Sequence, residues 1–235
     1  MNYDLIFNNK RLKELGISIV KRPNIPIPDK NINLIELEGR DGSLVEDLET
    51  YKDIEINIEC NFIDLRNTNN KAREISYWIN ESSDKKLFFS DDMDHYFKVL
   101  MVKVSDIQRQ LRVKGTFTLT FICQPFRYLV DNDLITITST SNIYSPELTY
   151  DSRPLIKIYG SGDVTFTVNG SNIILKSITS HIILNSEIQE AYSDTFENLN
   201  NKMLGEFPVL KNGINSISWV GTVTKVEITP NWRCL

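Results

Sequence analysis

The chain is 235 residues long, 41% hydrophobic and 24% charged, with a net charge of −5 and a pI near 5.2. At roughly 100–200 residues per domain, that length allows one large domain or two ordinary ones, each with a real core. The acidic balance and the lack of any Lys/Arg run exclude nucleic-acid readers and polybasic membrane binders, both of which need clustered cations.

Met1–Asn8 has no basic region followed by an apolar run, and no apolar stretch approaches the ~18 residues of a spanning helix, so neither a signal peptide nor a membrane span is expected. Cys60, Cys123 and Cys234 are odd in number and far apart, which makes no disulfide framework. Cys60 and Cys123 extend alternating apolar faces as small core residues, and the chain reads as one folded in a reducing cytosol.

Tyr3, Leu5 and Phe7 alternate and stop at Asn8-Asn9, giving a short strand and a turn. Pro23, Pro26 and Pro28 hold their predecessors extended, so Arg22–Pro28 is an irregular or edge segment. Gly39 and Gly42 place a tight turn around Arg40-Asp41, with a strand leading into it. Ile54, Ile56, Ile58 and Cys60 alternate with Glu55, Asn57 and Glu59, the pattern of a half-exposed antiparallel strand. Ala72, Ile75, Trp78 and Ile79 predict a helix over about 69–81, capped by Thr68 or Asn69. Leu87–Phe89, Asp91–Asp94 and Tyr96–Val102 read as strand, polar turn and strand. The clearest strand begins at Lys114. Phe117, Leu119, Phe121 and Cys123 alternate there with Thr116, Thr118 and Thr120, and Pro125 is expected to end it.

After Tyr128 the texture shifts to Ser, Thr, Asn and Ile, which places a boundary between domains 1–130 and 131–235. Leu134–Thr138 alternates. Leu155–Tyr159 leads to a turn at Gly160–Asp163, and Val164, Phe166 and Val168 form the next face. Asn169-Gly170-Ser171-Asn172 is a hairpin signal before Ile173–Leu175. Ser180–Asn185, Gly213–Val220 and Thr222–Thr229 supply further strands. Short strands at about 8–12-residue spacing with turns between them indicate a β-sandwich. The fold class is therefore mainly β, with one helix in the first domain.

Chemistry-bearing residues are few. His95 and His181 are the only histidines, and His181 sits in an alternating strand. Asp91-Asp92-Met93-Asp94-His95 is the best candidate for metal or acid–base work, since three carboxylates suit a hard cation. It lacks the glycine and closing Glu of a calcium loop, and the turn preference of Asp favours a plain hairpin turn. Gly160-x-Gly162 lacks a third glycine and a following helix, so it makes no phosphate cradle. No Gly-x-Ser-x-Gly elbow is present, and nothing selects one pair from the many carboxylates for glycoside hydrolysis. No cofactor or metal is implied. Tyr192, Trp219 and Trp232 could stack on sugar, although buried aromatics of a sandwich explain them better.

The landmarks in order resemble the distal tail (Dit) proteins of long-tailed, siphovirus-type bacteriophages. They are Gly39-Arg40-Asp41-Gly42, the helix end Tyr77-Trp78-Ile79, Leu87–Asp92 with Tyr96-Phe97-Lys98, and the run Phe117–Tyr128. Ile158–Asp163, Asn200–Pro208 and Thr229–Arg233 continue the match to the end of the chain. The resemblance implies an N-terminal ring-forming β domain with a helix and a projecting hairpin, followed by a galectin-like β-sandwich. It implies a structural virion protein of the tail tip, without enzyme activity, made in the bacterial host cytoplasm. Its partners would be itself, in a homo-hexameric ring, the tail tube protein, the tail-tip hub protein and a receptor-binding protein. DNA would only pass through the lumen, and no membrane is involved. The sugar constellation of true galectins has no counterpart here, Trp219-Val220-Gly221 being a loose echo of one part. The rival reading is a carbohydrate-binding module that grips host cell-wall sugar through Trp219 or Tyr192. A further rival is a glycosidase.

Overall fold

The computed structural model describes residues 3–64, 68–81, 84–111 and 113–235. The chain divides into two units, Met1–Arg127 with Leu235, and Tyr128–Cys234.

The first unit is built on β1 (Leu5–Phe7), β2 (Lys10–Arg11), β3 (Ile17–Ile19), β4 (Lys30–Ile35), β5 (Leu44–Tyr51), β6 (Ile54–Ile63), β7 (Lys86–Phe89), β8 (Asp92–Val104), β9 (Gln108–Leu111) and β10 (Lys114–Leu129), with the helix α1 (Thr68–Asn80). Its main sheet runs β2-β1-β7-β8-β10-β6-β3, and β4 and β5 stand apart as a two-stranded ribbon. β6 and β10 pair antiparallel from Lys114↔Ile63 to Cys123↔Ile54. Their alternating residues Ile54 to Phe62 and Phe117 to Cys123 are all buried, as the period of two requires.

α1 lays Ile75 and Trp78 on that core. The Trp78 Nε1–H donates to the Phe7 carbonyl at 3.0 Å, and Asn8 Nδ2 donates to the Trp78 carbonyl at 2.8 Å. Phe7 stands edge-on to Trp78 and to Phe121, with centroids 5.7 and 5.2 Å away, so one aromatic chain ties β1, α1 and β10. Buried Lys71 donates to the Leu15 carbonyl at 2.7 Å and to Glu74 Oε2 at 2.6 Å, closing a 3₁₀ turn that ends at Gly16. The cap expected from Thr68 or Asn69 depends on residues 65–67 and the Thr68 side chain, which lie outside the described residues.

Pro125 does not end its strand. β10 continues to Leu129, but its in–out alternation slips at Gln124-Pro125: Cys123 is buried, both of those are half-buried, and burial resumes at Phe126 and Tyr128. One extra residue is thus accommodated where the pairing with β6 has already stopped, at Cys123↔Ile54. Proline tolerates such an irregularity because no ladder bond is asked of it there.

The second unit comprises β11 (Ile135–Ile137), β12 (Ser141–Tyr144), β13 (Leu155–Val168), β14 (Ser171–Ile178), β15 (His181–Asn185), β16 (Glu190–Tyr192), β17 (Met203–Leu204), β18 (Ile214–Thr229) and β19 (Arg233–Cys234). Two long strands organise it. β13 pairs β15 through Leu155–Tyr159 and β14 through Gly162–Val168, and β18 runs beside it throughout. Gly160–Asp163 is therefore not a turn between two strands, and Gly221 does not divide β18. Both mark bulges, because the pairing slips between Tyr159 and Gly160 and again between Ser161 and Thr165. A Cβ on Gly160 would collide with the Thr222 carbonyl oxygen, and one on Gly221 would lie 2.6 Å from that of Asp163. Only glycine lets the two backbones approach this closely.

Residues on either side of these bulges, Ile156, Ile158, Val226 and Ile228 on one and Val164, Phe166, Val168 and Ile217 on the other, meet in one core. Long strands that bend at bulges form the corners of such a two-layered β structure. Asn169 and Gly170, at φ 51 and 83, make the predicted hairpin turn between β13 and β14.

Candidate functional site

The most exposed element of the first unit is the β4–β5 hairpin. Leu34 faces Val45 and Ile35 faces Leu44 across it, and the turn holds Gly39 and Gly42 at φ +78. The predicted strand into this turn is present, and its return strand, Leu44–Tyr51, escaped the sequence reading. Cross-strand bonds set the register: Lys30 Nζ to Asp47 Oδ2 at 2.7 Å, Asn33 Nδ2 to Glu46 Oε2 at 3.0 Å, and Asn31 Nδ2 to Thr50 Oγ1 at 2.9 Å. The Lys30 ammonium, followed by the Glu49 N–H, holds the Asp47 carboxyl below its ordinary range. At the base, Tyr51 stands edge-on to Phe126 at 5.7 Å.

Beyond that base the ribbon is exposed almost throughout. Leu34 and Val45 are 63% and 60% exposed, and Ile32, Leu37, Leu44 and Leu48 are also open. A two-stranded ribbon is marginal in water by itself, so its apolar side chains call for a covering surface. The same unit carries a small mixed cleft of about 70 Å³ lined by Phe7, Asn8, Ile79, Lys85, Val99 and Leu100–Val102, of which Leu100 and Met101 are exposed. Asn8, 3% exposed, has its Oδ1 buried there without a partner.

The acidic cluster straddles the two-residue turn Ser90-Asp91, with Phe89 facing Asp92. Two of its carboxylates already face basic side chains of the protein. Asp92 Oδ1 meets His95 Nδ1 at 2.8 Å and Asp92 Oδ2 lies 3.9 Å from Arg127, while Asp91 lies 3.6 Å from Arg22. Arg22 also stacks over Tyr3, 5.1 Å from its centroid. Among the described residues no three His, Cys, Asp or Glu side chains gather in a metal-holding group.

In the second unit, Trp219 faces fully buried Phe166 across the β13–β18 pair and packs, half-buried, against the core. Trp232 is buried at 5% exposure. Tyr192 stacks on Phe196, with centroids 5.6 Å apart and an interplanar angle of 22°. Lys157 Nζ bonds both Asp194 oxygens at 2.7 and 2.8 Å and holds that carboxyl below its usual range. His181 Nε2 lies 3.1 Å from Asp194 Oδ2 without the alignment of a hydrogen bond. Tyr159 donates to Glu227 Oε2 at 2.8 Å beneath the ammonium groups of Lys157 and Lys225, which close its ring to stacking partners. The structure thus separates the two predicted sugar contacts, Trp219 and Tyr192, and joins Tyr192 to a residue the sequence reading passed over. The available signal was a lone aromatic in the polar turn Ser193-Asp194-Thr195-Phe196-Glu197.

Residues 10–123 match the phage tail protein RIFT-related domain family. The first unit is similar to a phage tail domain. The match covers α1, the hairpin and the main sheet apart from β1 and the end of β10, stopping just before the slip in β10. The whole fold is similar to that of the Dit protein of phage SPP1, described as a paradigm of the hub adsorption apparatus of phages infecting Gram-positive hosts. The TM-score is 0.68 at 14% identity, over all of both chains. A chain of the phage P2 baseplate, in its activated conformation with Ca, matches with a TM-score of 0.51 at 10% identity, over all of this chain and 98% of that one. No curated protein shows significant sequence similarity. The expected mainly-β fold class with one helix is thus borne out, and the fold is similar to that of a distal tail protein. Among the described residues no helix is long and apolar enough to cross a membrane.

Proposed function

We propose that this chain is a distal tail subunit whose first domain, residues 1–130, closes into a homo-hexameric ring joining the tail tube to the tail-tip hub. The second domain, residues 131–235, is a galectin-like sandwich that holds adsorption components such as a receptor-binding protein. The role is structural and without catalysis, the subunit is made in the host cytoplasm, and its final place is the virion tail tip.

The observation that carries this reading is the uncovered β4–β5 hairpin. An arm roughly 25 Å long, at about 3.4 Å per residue, with open apolar side chains fits a neighbouring copy better than water. Exposed Leu100 and Met101 on the same unit supply further apolar surface. Contacts of arm to neighbour that close by rotation give a cyclic oligomer, and each needs about 1,000 Å² to persist. A net charge of −5 suits an annulus through which DNA passes without being gripped.

Light scattering coupled to size exclusion, with negative-stain microscopy, tests the reading. The intact protein forms rings, and the Leu34→Glu/Val45→Glu double variant is a folded monomer by circular dichroism. A protein that stays monomeric at high concentration, and that also fails to bind its hub partner, refutes it.

A further inference from the structure

Phe196 is 82% exposed and holds a φ of 60°. Bulky L-residues avoid this left-handed conformation, and here the ring gains almost no burial within the chain to offset the strain. Its loop is nevertheless tightly tied. The Phe196 N–H donates to the Ser193 carbonyl at 2.9 Å, the Ser193 N–H to the Glu197 carbonyl at 3.0 Å, and the Glu197 N–H to Ser193 Oγ at 3.2 Å. Ser193 Oγ and Thr195 Oγ1 lie 2.9 Å apart, and Lys157 anchors Asp194 at the loop's other side. One face of the Phe196 ring lies on Tyr192, whose hydroxyl accepts from Asn185 Nδ2 at 3.4 Å, so the pair is held in place while the outer face stays open.

We propose that the Tyr192–Phe196 pair is a contact platform for neutral pyranose polymers, the class of sugar found on bacterial surfaces. A flat π-face suits the C–H face of a sugar ring, and carboxylates accept its hydroxyls. Asp194 is held by Lys157, and the exposed acidic residues Glu190 and Glu197 flank the pair in sequence and supply those acceptors. The same charges repel phosphate-bearing polymers. A protein-docking patch would need several hundred Å² of contiguous apolar surface, and one open ring among acidic and hydroxyl side chains does not supply it. The platform lies wholly within the second unit, so it stands or falls independently of ring formation.

The test is full-length protein on an array of neutral hexose and N-acetylhexosamine oligosaccharides, with glycerol-phosphate teichoic acid as the anionic probe. Binding to neutral glycans is expected, about ten-fold weaker in Phe196→Ala and Phe196→Gly and retained in Phe196→Tyr. Phe196→Gly should leave the melting temperature unchanged or raise it, because glycine accepts φ > 0 without strain. A ring kept for packing would instead lower it. No retention of any neutral glycan, undiminished binding by Phe196→Gly, a preference for teichoic acid, or a fall in melting temperature of Phe196→Gly would each overturn the proposal.

Discussion

Replacing Phe121 by alanine probes the aromatic chain that joins strand, helix and N-terminal strand in the first unit. Phe121 is fully buried, faces Ile56 across β6–β10 and stands edge-on to Phe7. A buried Phe removes about 150–250 Å² from water, worth roughly 4 kcal/mol at ~25 cal/mol/Å² before the methyl that remains is subtracted. The cavity left behind and the lost edge-to-face contact with Phe7 restore that difference, so the expected loss is about 3–5 kcal/mol. Guanidinium titration measures it, provided the first unit is read separately, because a two-unit chain need not unfold in one step. Trp78 serves as reporter once Trp219 and Trp232 are replaced by Phe, these being the only other tryptophans. Thr120→Ala, on the opposite face of the same strand, should cost under about 1 kcal/mol. A loss below about 1 kcal/mol for Phe121→Ala would mean that this face of β10 is not the core.

Gly160→Ala should destabilise the second unit by about 2 kcal/mol or more, because its methyl group meets the Thr222 carbonyl in the paired strand, and thermal unfolding reports it. Burial pushes the Cys60 and Cys123 thiols up to about 12. At neutral pH a thiol reagent should therefore modify only half-exposed Cys234 in the native protein, and all three cysteines after denaturation. Asp47 and Asp194 should titrate below the ordinary value of about 3.9 in a carboxyl NMR titration. Their charged forms are favoured on folding, so what they add to stability is present above the unfolded value and is lost as pH falls through the folded one. Lys30→Met and Lys157→Met should move the respective midpoints up toward the ordinary value, the Glu49 N–H and His181 keeping part of the lowering.

The two-residue period was the legible part of this fold. Ile54–Cys60 and Phe117–Cys123 announce a sheet because one face of each strand is buried and the other is not. The helix, predicted over about 69–81 and found at Thr68–Asn80, was equally plain from Ala72, Ile75, Trp78 and Ile79. Glycine and proline were ambiguous for a physical reason. Gly160, Gly221 and Pro125 break alternation, and a break means a turn or a bulge according to whether a partner strand continues alongside. That partner is remote in sequence. Leu44–Tyr51 was missed because no face of it is buried within the chain, so Glu46, Asp47 and Glu49 fall into no alternating pattern with a core. The Asp91–His95 cluster was open between metal and turn until Arg22 and Arg127 were located beside it. Trp219 and Tyr192 looked alike in sequence, and only their neighbours Phe166 and Phe196 separate them.

An uncovered arm also has a consequence for the chain before it meets any partner. Among the described residues neither strand of the β4–β5 ribbon pairs with a third strand, and an open strand edge is the template on which chains associate wrongly. Lys30, Glu46, Asp47 and Glu49 along the ribbon act as gatekeepers against that outcome, at the cost of a weaker ribbon. Whatever covers the arm draws the equilibrium toward the ordered form by mass action, so its order depends on the concentration of partners. Proteolytic sensitivity within residues 30–51 should thus fall as protein concentration rises, while the core around Phe121 stays resistant at any dilution.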